Sequence, residues 1–311
     1  MNIVLTGASG FLGSEIVGDL VQVEAVHLTA QGRCEKRLLA LADRFSDCRR
    51  KLSLQRSDVR EPAPLPDRAD VILHAAALRS PSSADPDELY DTNVEGTKRL
   101  LEAGLAMGCR RFVLISTQAV YGTDGAPWSE DAPVCPKTPY AISKREAEKV
   151  VLEADGLEIV VLRLSRLYGV TPLVRWGEIP GRLARDAGRG EPLNIYGTGE
   201  QRFDLVHVRD AARAVTRAAL GPLNRDKSLY NVGGGGSYTI NEICQQIAEL
   251  AREHGLPPVV VRRDPAHPDG TYRHLELRVD KIRHDMNWEP RVSLRQAMEE
   301  YIACVAQTRV M

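Results

Sequence analysis

The chain has 311 residues and sets 41 lysines and arginines against 42 aspartates and glutamates, a formal net charge of −1. That balance excludes a long-range field able to gather nucleic acid or an anionic membrane surface, and no run of apolar residues is long enough for a transmembrane helix. The length suits one large domain or two closely packed ones.

The opening MNIVLTGASG reads as a buried strand entering a glycine turn rather than as a secretory leader, so a cytoplasmic protein is expected. In Thr6-Gly7-Ala8-Ser9-Gly10-Phe11-Leu12-Gly13 the glycines have the spacing of a dinucleotide fingerprint, in the strand–turn–helix context that it requires. Gly7 permits the tight turn, Gly10 a close approach of backbone to a pyrophosphate, and Gly13 the packing of helix on strand. Ser9, Phe11 and Leu12 complete a cradle at the start of the helix FLGSEIVGDLVQ, whose unpaired N–H groups and positive end suit phosphates. The second strand, AVHLTA, runs into Gln31-Gly32-Arg33 with no acid before Glu35. An NAD site places an acid there to hold the ribose hydroxyls. Gln31 and Arg33 stand in that region instead, and a permanently charged planar guanidinium suits a 2′-phosphate, so NADP is expected ahead of NAD.

CEKRLLALADRF reads as a helix, and after the next strand Asp58 and Val59 are candidate adenine contacts, Asp58 otherwise serving as a helix cap. VILHAAA is a further buried strand, and His74 at its end reads as a packed, hydrogen-bonded histidine rather than a base or metal ligand. VEGTKRLLEAGLAMG and RFVLIST repeat the alternation. PYAISKREAE then opens a helix with Tyr140 and Lys144 four residues apart on one face. Such a pair is either a proton-exchanging phenol beside an ammonium or an ordinary surface pair lying over apolar neighbours. EIVVLRLS closes the regular part. Runs apolar on both faces, separated by amphipathic helices, predict an α/β fold with a doubly wound parallel (Rossmann) sheet.

From Leu167 to Arg202 the chain is rich in Gly, Pro and Arg; LVHVRDAARAVTRAAL reads as a return to the sheet layer, followed by the helices TINEICQQIAELAREH and SLRQAMEEYIACVAQ. The expected organisation is an NADP-binding domain of residues 1–166 and 203–235 under a smaller, discontinuous substrate-binding cap of residues 167–202 and 236–311. A ligand is expected in the cleft at the carboxyl ends of the strands. Trp176 and Trp288 read as packing residues. Cys34, Cys48, Cys109, Cys135, Cys244 and Cys304 stand singly without metal-ligand spacing, so neither a metal site nor a disulfide framework is expected.

The segments TGASGFLG, SDVRE, HAAA, NVEGT, STQAVYG, PYAISK, LRLSRLYG, QRFDLVHVRDAARA, NVGGGGSYTINEI and DMNWEP, in that order, resemble the extended short-chain dehydrogenase/reductases of the NAD-dependent epimerase/dehydratase family, whose members mostly act on nucleotide sugars. The resemblance covers nearly the whole chain. It implies that Thr117 hydrogen-bonds the reacting oxygen, that Tyr140 is the acid or base, and that Lys144 holds the nicotinamide ribose and eases ionisation of the tyrosine. Each pH unit by which a phenol is brought down from its ordinary value near 10 corresponds to ~1.4 kcal/mol in favour of the phenolate. Ala75, Ala76, Ala77, Asn93 and Ser165 match further cofactor contacts. On the substrate side Arg202 matches a diphosphate contact, Arg273 is a second candidate, and Asn194 lies in the strand bordering the nucleotide base. Gln118 is expected beside the reacting sugar carbon. Arg166, where the family often has asparagine, faces either the nicotinamide side or a sugar substituent.

Family dehydratases carry an Asp-Glu pair directly after the threonine, and the epimerase-reductases that make GDP-fucose carry a cysteine there; this chain has Gln118-Ala119. The resemblance therefore implies either an NADPH-dependent reductase of a nucleotide-linked 4-keto-6-deoxy sugar or a 4-epimerase that retains its cofactor, and the NADP-like loop favours the reductase. The alternatives are a reductase of a non-sugar carbonyl and a non-catalytic NADP-binding regulator. Family members commonly dimerise through the helices that here span Asn93 to Met107 and Tyr140 to Ala154, so a homodimer is expected.

Overall fold

The computed structural model describes residues 1–79, 85–171, 173, 178–264 and 274–309. The apolar runs of the first half form strands β1 (Asn2–Thr6), β2 (His27–Gly32), β3 (Leu52–Arg56), β4 (Val71–His74), β5 (Arg111–Thr117) and β6 (Glu158–Leu164). They are followed by β7 (Arg166–Tyr168), β8 (Leu193–Tyr196), β9 (Arg202–His207), β10 (Lys227–Val232), β11 (Ser237–Thr239), β12 (Val261–Asp264) and β13 (His274–Leu275). The helices are α1 (Phe11–Val21), α2 (Glu35–Arg44), α3 (Pro86–Tyr90), α4 (Gly96–Ala106), α5 (Pro139–Glu153), α6 (Glu178–Arg189), α7 (Val208–Leu220), α8 (Ile240–Glu253), α9 (Asp280–Met286) and α10 (Leu294–Arg309).

Seven strands in the order β10-β6-β5-β4-β1-β2-β3 make one sheet, parallel throughout. Successive residues of a strand feed opposite cores, as the two-residue repeat demands. Ile3 and Leu5 join the core shared with α1 and α7, whereas Val4 joins Ile72, Phe112 and Leu114 on the other face, with Leu100 of α4 and Ala147 of α5. The order of strands reverses between β1 and β4, so a crevice opens at their carboxyl ends, where doubly wound sheets hold ligands.

The cap has its own core. β9 pairs with β7, β11 and β13, and β8 with β12; Phe203 and Leu205 pack there with Leu183, Ile195, Ile243 and Tyr301. Thr239 and Glu242 close a reciprocal capping box at the start of α8. The segment 203–235, expected whole in the nucleotide domain, is divided: β9 is a strand of the cap sheet, α7 lies against α1 on the main sheet, and β10 is that sheet's edge strand. Conversely Val279, Ile282, Met286 and Trp288, expected in the cap, pack into the main core. Trp288 is 1% exposed and donates to the Asp210 carbonyl, a packing role; Trp176 lies outside the described residues.

The two parts are tied at Asp204, which is fully buried and accepts from the N–H groups of Gly234 at 2.6 Å and Leu277 at 2.9 Å. Glycine is required where the chain passes so close, since a Cβ on Gly234 would stand 2.1 Å from the Leu205 carbonyl oxygen. Among the described residues no helix is long and apolar enough to cross a membrane.

Candidate active site

The turn between β1 and α1 is shaped by what a side chain would strike. Gly7 has φ +71° and its Cβ would meet the Ala76 nitrogen at 2.7 Å, while a Cβ on Gly13 would stand 2.1 Å from the Gly7 carbonyl oxygen. The N-cap, Gly10, has no side chain to offer the first turn of α1, which also lacks an acid. Its leading N–H groups and positive helix end are therefore left to a ligand, and an anion fits them. Ser9 and Leu12 are buried and Phe11 half-buried around this cradle, and Ser9 Oγ lies against Gly32, where a Cβ would approach it to 2.9 Å.

On the adenosine side the side chains divide. Gln31 is 2% exposed and turns inward, its amide donating to Gln55 at 2.7 Å, so its side chain is engaged with β3, and its carbonyl accepts from Ala8 N–H. Arg33, one residue beyond β2, is exposed. Asp58 caps no helix: Arg60 grips its carboxylate through its own N–H, Nε and Nη2, the last at 2.8 Å. Those bonds hold Asp58 below the usual carboxylate range. Val59, buried, packs against Gly96.

Where β4 ends, His74 is locked between two threonines, with Nδ1 2.7 Å from Thr6 Oγ1 and Nε2 3.0 Å from Thr97 Oγ1. Thr97 gives its own proton to the Asn93 carbonyl at 2.6 Å. It can then only accept from His74, which fixes the Nε2–H tautomer and makes Thr6 the donor to Nδ1. Burial, with the Lys144 charge adding to it, pushes His74 down to about 3, so the ring is neutral. It is the packed histidine expected. Thr6 Oγ1 also accepts from Ala76 N–H at 3.2 Å, anchoring the half-buried run Ala75, Ala76 and Ala77 above the glycine turn.

Asn93, matched to a cofactor contact, lies in a single π-helical turn, Asp91–Glu95, a local widening that often accompanies functional sites. Its amide is spent on the protein: it brackets Leu78 through N–H and carbonyl at 2.8 and 3.0 Å, and donates to Ser143 Oγ, which donates to the Tyr140 carbonyl. Asn93 thus braces the segment after β4 against the first turn of α5.

Thr117 is the last residue of β5 and the N-cap of the 3-10 turn Gln118–Tyr121, its Oγ1 accepting from Ala119 N–H at 3.2 Å. The hydroxyl proton is then left to donate. Thr138 caps α5 and Pro139 occupies its first turn, which sets half-buried Tyr140 at the positive helix end. One turn on, Lys144 is 2% exposed; burial brings it down to about 8, with Glu148 pulling the other way. α5 packs on β5 and on the 3-10 turn, so these residues share the carboxyl edge of the sheet with the glycine turn. Ser165, buried, follows β6 on the same edge.

Gln118 is 5% exposed, and its amide oxygen has no hydrogen-bond partner among the described residues. Arg166 lays its guanidinium over the Phe203 ring at 5.0 Å. Asn194, Ile195, Arg182 and Phe203 line an apolar cap cleft of 160 Å³. Arg202, at the start of β9, donates to Ser237 through Nε and Nη2. Arg273 lies outside the described residues. Glu148 and Arg182 carry no sequence motif; the signal for Glu148 is its place four residues after Lys144, and for Arg182 the strongly amphipathic α6.

The model of the NAD dependent epimerase/dehydratase family matches residues 3–233. The chain belongs to this family. A dTDP-glucose 4,6-dehydratase of Streptomyces niveus is 32% identical over 321 aligned positions, covering 97% of this chain and 92% of the relative. UDP-glucuronic acid decarboxylase 1 of Arabidopsis thaliana is 28% identical, covering 97% of this chain and 69% of the relative. Among solved structures, MoeE5 in complex with UDP-glucuronic acid and NAD superposes with a TM-score of 0.81 at 28% identity, covering 99% of this chain and all of that one. As an extended short-chain dehydrogenase/reductase, this family member is an enzyme of the NAD-dependent oxidoreductase and epimerase type and uses a nicotinamide cofactor. The NADP preference read from Arg33 finds no support in these relatives, since MoeE5 holds NAD.

Proposed function

We propose that this family member carries out oxidation and reduction at C4 of a nucleoside-diphosphate sugar. The observation that carries the reading is the shared sheet edge of Thr117, Tyr140 and Lys144 beside an uncapped, glycine-lined helix N-terminus. The cap cleft suits a nucleotide, apolar for the base with the Arg182 guanidinium in its lining for the diphosphate. The cradle, Lys144 and the segment after β4 would hold the cofactor, which supplies or accepts a hydride when bound.

Tyr140 gives a proton to the developing alkoxide during reduction and takes it back during oxidation, while Thr117 donates a second hydrogen bond to the same oxygen. The buried amide oxygen of Gln118 needs a donor, and a sugar hydroxyl is one. Because Gln118 and Ala119 stand where dehydratases carry their carboxylates, similarity to a dehydratase does not extend to removing water.

Two forms of this chemistry rest on different observations. Exposed Arg33 and the absence of an acid at the end of β2 favour NADPH and net reduction of a 4-keto sugar; the NAD held by MoeE5 favours epimerisation with retained cofactor. Incubation with nucleotide-linked 4-keto-6-deoxy sugars and with plain nucleotide sugars tests both. Stoichiometric loss of NADPH absorbance is expected of a reductase, and isomerisation at C4 without net loss of an epimerase. Inertness toward both panels, in protein that binds the cofactor, would contradict the reading.

A further inference from the structure

A lysine that must stay cationic has been placed where an ammonium is unfavourable. Lys144 is 2% exposed and near enough to the His74 ring for its charge to act on it. Tyr140 and Glu148 stand one turn before and one turn after it on α5, His74 of β4 feels its charge, and Arg145 of α5 and Arg163 of β6 contact Glu148. His74 is neutral and adds no repulsion. Among the described residues, Glu148 is the carboxylate whose charge acts on Lys144.

Glu148 is itself 0% exposed, and everything around it favours the anion. Arg163 binds it with two parallel bonds of 2.9 and 2.7 Å, Ser116 Oγ donates at 2.6 Å and Arg145 at 3.0 Å. Burial pushes the carboxyl up, yet these donors together hold it below its usual range. Arg163 is in turn seated over the Tyr121 ring at 4.7 Å, and Tyr121 is fixed by Asn231. β5, β6, the 3-10 turn and α5 thus converge on one fixed carboxylate. Residues four apart on a helix are side-chain neighbours, so that charge sits one turn behind the ammonium.

We propose that Glu148 is a positioning residue for the proton exchange at Tyr140: its locked, buried carboxylate keeps Lys144 an ammonium, with Arg163 and Ser116 holding the carboxylate ionised. The inference rests on the reading of Tyr140 and Lys144 as the proton-exchanging pair. Glu148 touches neither substrate nor cofactor and acts through the lysine. Sequence alone hides this, because REAE looks like an ordinary charged helix face.

The test begins with cofactor-free protein carrying lysine labelled with carbon-13 at Cε, the Lys144 signal being assigned with Lys144→Arg. Removing a nearby opposite charge disfavours the cation, so Glu148→Gln is expected to lower the Lys144 midpoint from about 8 by about one pH unit. Ser116→Ala, which removes one hydrogen bond but leaves the charge, is expected to leave the midpoint in place. In turnover, the ratio of Glu148→Gln to wild-type kcat falls about tenfold as pH rises through the shifted midpoint, since the ammonium is present below it and lost above it. If the single variant does not fold, Glu148→Gln combined with Arg163→Met avoids an unpaired buried cation and is expected to show a fall in the same direction but smaller, since a cation leaves with the anion. An unmoved or raised Lys144 midpoint, or an equal drop in Ser116→Ala, overturns the inference and leaves the reading of Tyr140 standing. Retained turnover in Tyr140→Phe sinks that reading instead.

Discussion

Thr117 Oγ1 accepts the Ala119 N–H on one lone pair and has one proton to give. Valine has the same shape without the hydroxyl. Removing one such donor to a developing oxyanion costs on the order of a hundredfold in rate, and Thr117→Val is expected to lose about that much kcat, with Thr117→Ser restoring most of it. Steady-state assays over a range of substrate concentration check this; an unchanged kcat would show that the hydroxyl does not touch the reacting oxygen. At this scale the sequence reading is uneven for a physical reason. Gly7, Gly13 and His74 are legible because local geometry dictates them. The roles of Gln31, Asn93 and Asp58 depend on Gln55, Leu78, Ser143 and Arg60, and neither identity nor spacing shows which partner a side chain chooses.

α5 carries its function on one stripe: Tyr140, Lys144 and Glu148 follow at four-residue intervals, with Thr138 and Pro139 setting where the stripe begins. The far end of the sheet is held differently. Arg111, fully buried at the start of β5, reaches the Ala218, Ala219 and Gly221 carbonyls at the end of α7 while its Nε meets Glu158 at 2.7 Å. Arg111→Met keeps the stem but leaves those carbonyls and part of the Glu158 charge without a donor. A loss of about 3 kcal/mol is expected from such a change, read as a lowered urea midpoint with an unchanged slope. A shift within about 0.5 kcal/mol, the range of ordinary surface changes, would show that water replaces the guanidinium. The strands and helices of the first half are legible because apolar runs of fixed period leave little choice. β9 is not, since FDLVH suits either sheet, and only its pairing with β7, β11 and β13 assigns it to the cap.

At the scale of the whole molecule, the cap core meets the main sheet across the sheet's carboxyl edge, with the glycine turn on one side and the apolar cap cleft on the other. The doubly wound class follows from the alternation of elements, and the family from ten short segments in order. The exchange of β9 and the segment around α9 between the two parts escapes a linear reading, because hydrophobic pattern reports burial and not the core that supplies it. The choice between NAD and NADP rests on Arg33, an exposed side chain whose partner would be the ligand itself. The most direct test of the central claim is single-turnover hydride transfer by wild type and Tyr140→Phe, each saturated with cofactor and with the nucleotide sugar that the panel identifies. The expected result is unchanged cofactor affinity with hydride transfer slowed by about a hundred- to ten-thousand-fold in the variant. Transfer near the wild-type rate would contradict the assignment of the proton to Tyr140.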